Sequence, residues 1–265
     1  MIQQIIEAGA RLIESSPAPV KACGIGFGGP VDFLAQRVIR SLHVPGWDDV
    51  PLPQILTEAF GIPSVVENDA TTAAIGEHRF GAGLGTRNMV YYTVSTGIGG
   101  GIILDGRPFR GSRGLAGEVG HVPITVEGGA VCTCGKKGCL EAYCSGLSIA
   151  RRAQEALSAH AQTPARAVSA PITARDVFAA ADEDPRMRRV IDDTARYLGA
   201  SIAGVCNVLD PERVVLGGGV ARSVRHRYSM VIQTQASVCA SQHNSRGNEP
   251  WCTQFEFINM AARRS

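Results

Sequence analysis

No stretch of this 265-residue chain stays apolar for long enough to cross a bilayer, so the sequence predicts no transmembrane helix. The opening segment, MIQQIIEAGARLIESSP, lacks the basic leader and continuous apolar stretch of a secretory signal, and it carries Glu7 early. The expected setting is therefore cytoplasmic, where disulfides are rare. An excess of one charge is missing too: 26 Lys and Arg stand against 24 Asp and Glu, a formal net charge of +2. Charge alone thus implies neither a nucleic-acid surface nor a funnel for acidic substrates. No self-similarity recurs at the periods of solenoid repeats.

What is present reads as a globular α/β protein: 45% hydrophobic and 19% charged residues, 31 glycines, and length for one large or two ordinary domains. Ile2, Ile5, Ile6, Ala10 and Ile13 recur at helical spacing. ACGIGFGGPVD reads as a strand entering a glycine turn, Pro53 to Phe60 as a helix stopped by Gly61, and SVVEND as a short buried strand. DATTAAIGEHRFG reads as a helix with Asp69 at its start. NMVYYTVSTGIGGGIILDGRPF predicts two strands about a glycine-rich turn, then a hairpin turn at Asp105-Gly106. Helices follow over Ser148 to His160, from a capping box at Thr173 and Asp176, and over Arg186 to Val208; RVVLGGGV closes the pattern as a strand and turn. Beyond about Gln233 the periodicity disappears. Strands alternating with helices indicate α/β architecture.

Eight cysteines are present, three of them in CTCGKKGC, Cys132 to Cys139. With His121 upstream, Cys132, Cys134 and Cys139 make a Cys₃His set suited to a closed structural zinc site, and Gly135 and Gly138 let the backbone turn between ligands. A disulfide within the loop, or reduced thiols that bind nothing, are the alternatives. Cys144 reads as a small buried residue. A clamped loop would hold Glu118, His121 and Glu141 in one place as a pre-organised polar site.

The combination of EVGH (Glu118 to His121) and CTCGKKGCLE (Cys132 to Glu141) resembles the signature of the ROK family of repressors, open reading frames and sugar kinases. GIGFGGPVD, VENDATTAAIGE, TGIGGGIILDG and VVLGGGV fall in the family's order, over about Ile2 to Val220. The resemblance implies an actin-like, hexokinase-like (ribonuclease H-like) fold of two α/β lobes with a cleft between them. It implies a lobe remnant at 1–69 and a C-terminal lobe with the zinc loop and sugar site at 70–232; 233–265 reads as an irregular or divergent tail, for lack of periodicity. It assigns Asn68, Glu118, His121 and Glu141 to sugar hydroxyls, with His121 also on zinc. Asp69 would be the general base toward the γ-phosphate of Mg²⁺-ATP; position alone equally allows a plain helix N-cap. STGIGGG, with Thr96, Gly97 and Gly99, would be a phosphate loop, though a hairpin would explain it as well. Gly217, Gly218 and Gly219 would lie against the adenosine, or form only a tight strand-to-helix turn.

Two departures from the family pattern stand out. D-x-G-G-T, the family's ATP phosphate loop, occurs nowhere in the sequence, and Met1 starts at a helix that would follow it. The N-terminal lobe is accordingly expected to be incomplete, with an exposed sheet edge, impaired ATP use and marginal stability. The second departure is the patternless tail.

The expected function is ATP-dependent phosphorylation of a hexose or amino-hexose. The alternatives are the sugar-sensing domain of a family repressor and a non-catalytic sugar-binding remnant. Expected partners are a small-molecule sugar and a nucleotide, with no membrane or nucleic acid, in a possible homo-oligomer; Zn²⁺, ATP and Mg²⁺ are the expected cofactors.

Overall fold

The computed structural model describes residues 1–41, 45–159, 171–221 and 254–257, the last four as backbone only. The chain divides into two compact units, Met1–Ala73 with Arg110–Ala116, and Ala74–Phe109 with Gly117–Ser265.

The first unit opens with α1 (Ile2–Glu14), followed by β1 (Cys23–Phe27), β2 (Val31–Asp32), β3 (Arg37–Val38), α2 (Leu52–Phe60) and β4 (Ser64–Asn68). β1 and β4 run parallel, from Cys23 opposite Ser64 to Phe27 opposite Asn68, while β2 and β3 form a short antiparallel pair. Val31, Val38, Trp47, Leu52, Leu56 and Val66 make the core; Ile2, Ile5 and Ile6 of α1 pack against it, as their helical spacing requires. The Phe27 and Trp47 rings stack with centroids 5.3 Å apart. β4 is less buried than SVVEND suggests: Val66 faces the core, but Val65 is 44% exposed, because successive side chains point to opposite faces.

Two devices hold this unit that the sequence did not announce. The Gln36 side chain accepts from the Val66 N–H at 2.9 Å, standing in for a strand partner of β4. Arg110 brings the returning segment to the unit by pairing with Glu67 at 2.7 Å and lying 3.6 Å from the Phe33 ring centroid. The first unit thus extends past the boundary expected at residue 69 and takes in a distant segment that no local pattern marks.

α3 (Asp69–Phe80) starts in the first unit and continues into the second. The second unit then comprises β5 (Met89–Val94), β6 (Ile98–Leu104), β7 (Arg107–Pro108), α4 (Glu141–Cys144), α5 (Gly146–Ser158), α6 (Ala174–Ala180), α7 (Pro185–Leu209), β8 (Arg213–Gly217) and β9 (Gln254–Phe257). Its five-stranded sheet has the order β7-β6-β5-β8-β9, with β5–β6 and β6–β7 antiparallel and β5–β8 and β8–β9 parallel. Val90, Tyr92 and Val94 of β5 and Val214 and Leu216 of β8 bury against Ile149, Val190, Ile191, Leu198 and Ile202 from the helices. The predicted apolar face of α7 is thus the face in the core. α5 begins at Gly146, two residues before the expected start, because Ser145 is the cap and accepts from the Ser148 N–H. The capping box of Thr173 and Asp176 forms as predicted.

The expectation of an irregular tail is corrected over Gln254–Phe257, which pair with Arg213–Leu216 as a parallel edge strand. Four residues carry too little periodicity to read alone, and the partner strand lies far upstream. The remainder of 222–265, and His160 at the expected end of α5, lie outside the described residues. Among the described residues no helix is long and apolar enough to cross a membrane.

Candidate functional site

Residues 118–141 of the second unit form a folded-back knuckle. Val119–His121 make one 3₁₀ turn, with Val119 and Gly120 buried. Gly120 has to be glycine: a Cβ there would come within 2.2 Å of the Ile98 carbonyl oxygen. Beyond it the chain doubles back through hydrogen bonds from Ile124 N–H to Gly138 O, Leu140 N–H to Val122 O, Gly138 N–H to Ala130 O and Cys132 N–H to Lys136 O.

This folding brings His121, Cys132, Cys134 and Cys139 together, one ligand atom from each lying within 4.8 Å of all the others. Cys132 Sγ is 3.6 Å from His121 Nδ1, and Cys134 Sγ is 3.8 Å from Cys139 Sγ. A tetrahedron with zinc bond lengths has edges of about 3.6 Å between S and N and about 3.8 Å between two S atoms. The donor set therefore fits a zinc ion, with Nδ1 as the imidazole ligand. Burial, then contact with the neighbouring cysteines, pushes the Cys139 thiol up to about 12. Burial likewise raises Cys132. At Cys134 burial is the largest single influence and raises the thiol, but the Lys136 backbone N–H, the Cys132 and Cys139 thiols and the Lys136 charge together outweigh it, and the thiol falls below its ordinary value. Three thiols around one point resist ionising together unless a cation joins them. Cys144, as expected, stands apart: it is buried and donates to the Thr194 carbonyl oxygen, at 3.5 Å.

The two acidic residues of the knuckle differ. Glu118 is 45% exposed, with Oε2 3.9 Å from His121 Nε2. Glu141 is wired on both oxygens: Oε1 accepts from Thr133 Oγ1 at 2.7 Å, and Oε2 from the Ile98 N–H at 2.9 Å. Thr133 and Ile98 were not singled out from sequence, since nothing local marks either as a partner of Glu141.

Ile98 opens β6 directly after the turn at Ser95–Gly97, which is closed by Ser95 N–H to Gly97 O. The glycine-rich stretch is therefore a hairpin. Thr96 and Gly97 lie in its turn, whereas Gly99 is opposite Thr93 in the strand ladder, so the expected loop is shorter than STGIGGG. Gly217 ends β8, Gly218 follows it, and helical backbone begins at Gly219. Thr96 and Gly219, with Ser95, Leu147, Phe178 and Val220, line one cavity of about 600 Å³ at the carboxyl ends of the parallel strands β5 and β8. That is where open α/β sheets place ligands.

Asn68 and Asp69 belong to the first unit, at the junction of β4 and α3. Asn68 Oδ1 accepts from the Thr71 N–H at 3.0 Å, and its Nδ2 donates to Gly29 O at 3.2 Å. Asn68 is thus the residue that caps α3, which decides against the N-cap reading of Asp69. Asp69 Oδ1 accepts from the Ala70 N–H at 2.8 Å. Its Oδ2 is beside Gly28, where a Cβ would stand 3.5 Å away.

The chain is similar to known proteins in sequence and in fold. The ROK family model matches residues 1–249. A glucokinase of Halalkalibacterium halodurans is 42% identical over 206 residues, 76% of this chain; the chain spans 62% of that relative's length. The ROK hexokinase of Thermus thermophilus superposes with a TM-score of 0.81 at 34% identity, over 98% of this chain and 81% of its own. A ROK family glucokinase from Streptomyces griseus, solved in complex with glucose and AMPPNP, superposes with a TM-score of 0.77 at 31% identity, over 97% and 83%. The shared fold is the actin-like, hexokinase-like one. With its signature segments folded into one knuckle and its match extending across both units, this chain belongs to the ROK family.

Proposed function

We propose that the chain serves ATP-dependent phosphorylation of a hexose or amino-hexose. The observation that carries this reading is the knuckle at 118–141, where a Cys₃His set and two carboxylates occupy one short segment. A hexose presents hydroxyls on every side, so its site needs several acceptors and donors in fixed positions. Glu118 and Glu141 supply acceptors. Asn68 keeps one amide hydrogen beyond the bond to Gly29. A zinc ion would be held by His121 Nδ1 and the thiolates of Cys132, Cys134 and Cys139. Its contribution is cohesion of the knuckle, since a closed Cys₃His set leaves no open coordination position. With Nδ1 engaged, His121 carries its proton on Nε2 and can donate to a hydroxyl.

Asp69 takes the proton of the attacking hydroxyl as the new O–P bond forms and the bond from the γ-phosphorus to the β-phosphate oxygen breaks, releasing ADP. The nucleotide enters with its Mg²⁺. The cavity lined by Thr96 and Gly219 is large enough for an adenosine, with Leu147 and Phe178 as its apolar wall.

The sequence contains no D-x-G-G-T stretch, so hexose binding is the primary readout and turnover the second. Calorimetric titration with glucose, mannose and N-acetylmannosamine is expected to detect binding of at least one of them. D69N is expected to keep that binding while any ATP-coupled phosphorylation falls by about 10²–10⁴-fold. Absence of binding by all three sugars, or full turnover in D69N, would remove the reading.

A further inference from the structure

We propose that Thr133 is a positioning residue for Glu141, and that this pair ties the cysteine knuckle to the Ser95–Gly97 turn. The inference rests on the hexose-kinase reading of the same site and deepens it. Thr133 lies between Cys132 and Cys134, yet its hydroxyl turns to Glu141 Oε1, 2.7 Å away. The opposite oxygen, Oε2, is held by the Ile98 N–H at 2.9 Å. A glutamate carboxylate turns easily about its last bond. One hydrogen bond leaves it that freedom; two, from opposite sides and from different segments, set its plane. Each oxygen keeps a lone pair, which is what a sugar hydroxyl would use.

Cys132 Sγ also approaches Oε1, at 3.8 Å, but a thiolate bound to a cation has no proton to donate. The zinc-loaded knuckle would therefore hold Oε1 through Thr133 and not through Cys132. On the other side, a Cβ on Gly97 would lie 2.7 Å from Oε2. The turn must be glycine at this point for Glu141 to stay where Thr133 and Ile98 put it. One carboxylate thereby joins the metal-binding segment to the turn that lines the nucleotide cavity.

The test compares the unmodified chain, T133V and T133S by calorimetric titration with glucose, mannose and N-acetylmannosamine, with zinc per chain measured on each sample. T133V is expected to bind the recognised sugar about tenfold more weakly with zinc content unchanged, the loss of one hydrogen bond to a charged group. T133S is expected to stay within about twofold of the unmodified chain, because it restores the hydroxyl. Equal affinity in T133V and the unmodified chain overturns the assignment. So does loss of zinc in T133V, which would make Thr133 a support of the loop and not of the carboxylate. Should T133V fail to fold, G97A displaces Oε2 from the other side and is expected to weaken sugar binding as well; unchanged affinity there is equally fatal. In each of these cases the unmodified chain still binds sugar. An unmodified chain that binds no sugar instead sinks the hexose-kinase reading, and this assignment with it.

Discussion

Asp184 illustrates what one carboxylate does at a helix start. It caps α7, accepting from the Arg186 N–H at 2.8 Å, and pairs with the Arg186 guanidinium at 2.7 Å. The guanidinium bond first, and the backbone N–H second, lower its pKa from 3.8 to about 2. A group whose folded pKa is depressed contributes stability that is complete above the unfolded value and is lost as pH falls through the folded one. The contribution from Asp184 is therefore full above about pH 4 and disappears toward pH 2. Urea denaturation of D184N and the unmodified chain should differ at pH 5 and converge near pH 2; a constant gap across that range would contradict the assignment. Asn68 and Asp69 likewise differ at the level of single atoms. Adjacent in sequence and both able to cap, they divide the work because only the Asn68 oxygen reaches the Thr71 N–H.

Among elements, the returning segment Arg110–Ala116 depends most visibly on a single side chain. The Arg110–Glu67 pair is largely shielded, at 26% and 13% side-chain exposure, and the guanidinium also lies over Phe33. Removing one partner leaves the other charge half-buried without its counterpart. R110A is expected to lower stability by roughly 2–4 kcal/mol by this mechanism. Limited proteolysis should then cut first within 110–116, and a cleavage pattern unchanged from the parent would argue against it. The knuckle offers a parallel case. Its own apolar cluster consists of Cys132, Cys139 and Ala142, with Ala130 and Tyr143 against it. So small a cluster gives little cohesion by itself, and the proposed zinc ion would add to it.

At the scale of the whole molecule, the main cores of the two units are built, among the described residues, from separate sets of side chains. The loss of the proposed zinc from the knuckle should therefore stay local. Stripping zinc with a strong chelator is expected to raise amide exchange across residues 119–144 while residues 23–68 keep their protection. Uniform loosening of both would show that the units share their stability. Zinc retention should also weaken as pH falls, since each thiolate ligand competes with a proton.

By itself the sequence determined the Cys₃His donor set and its spacing, the amphipathic faces of α1 and α7, the capping box of α6 and the Asp105-Gly106 hairpin. Each depends on residues a few positions apart, so local periodicity and side-chain chemistry suffice to reveal it. Tertiary structure decided the rest: Gln36 filling the side of β4, Arg110 drawing its segment to Glu67, β9 completing the sheet beside β8, and Gly99 entering the strand ladder. It also decided that Glu141 is held by Thr133 and Ile98. These arrangements join positions that sequence leaves apart, 30 residues between Gln36 and Val66 and 43 each between Glu67 and Arg110 and between Ile98 and Glu141. Their partners are selected by packing and by the demand that buried polar groups be satisfied, which arises only once the chain has folded.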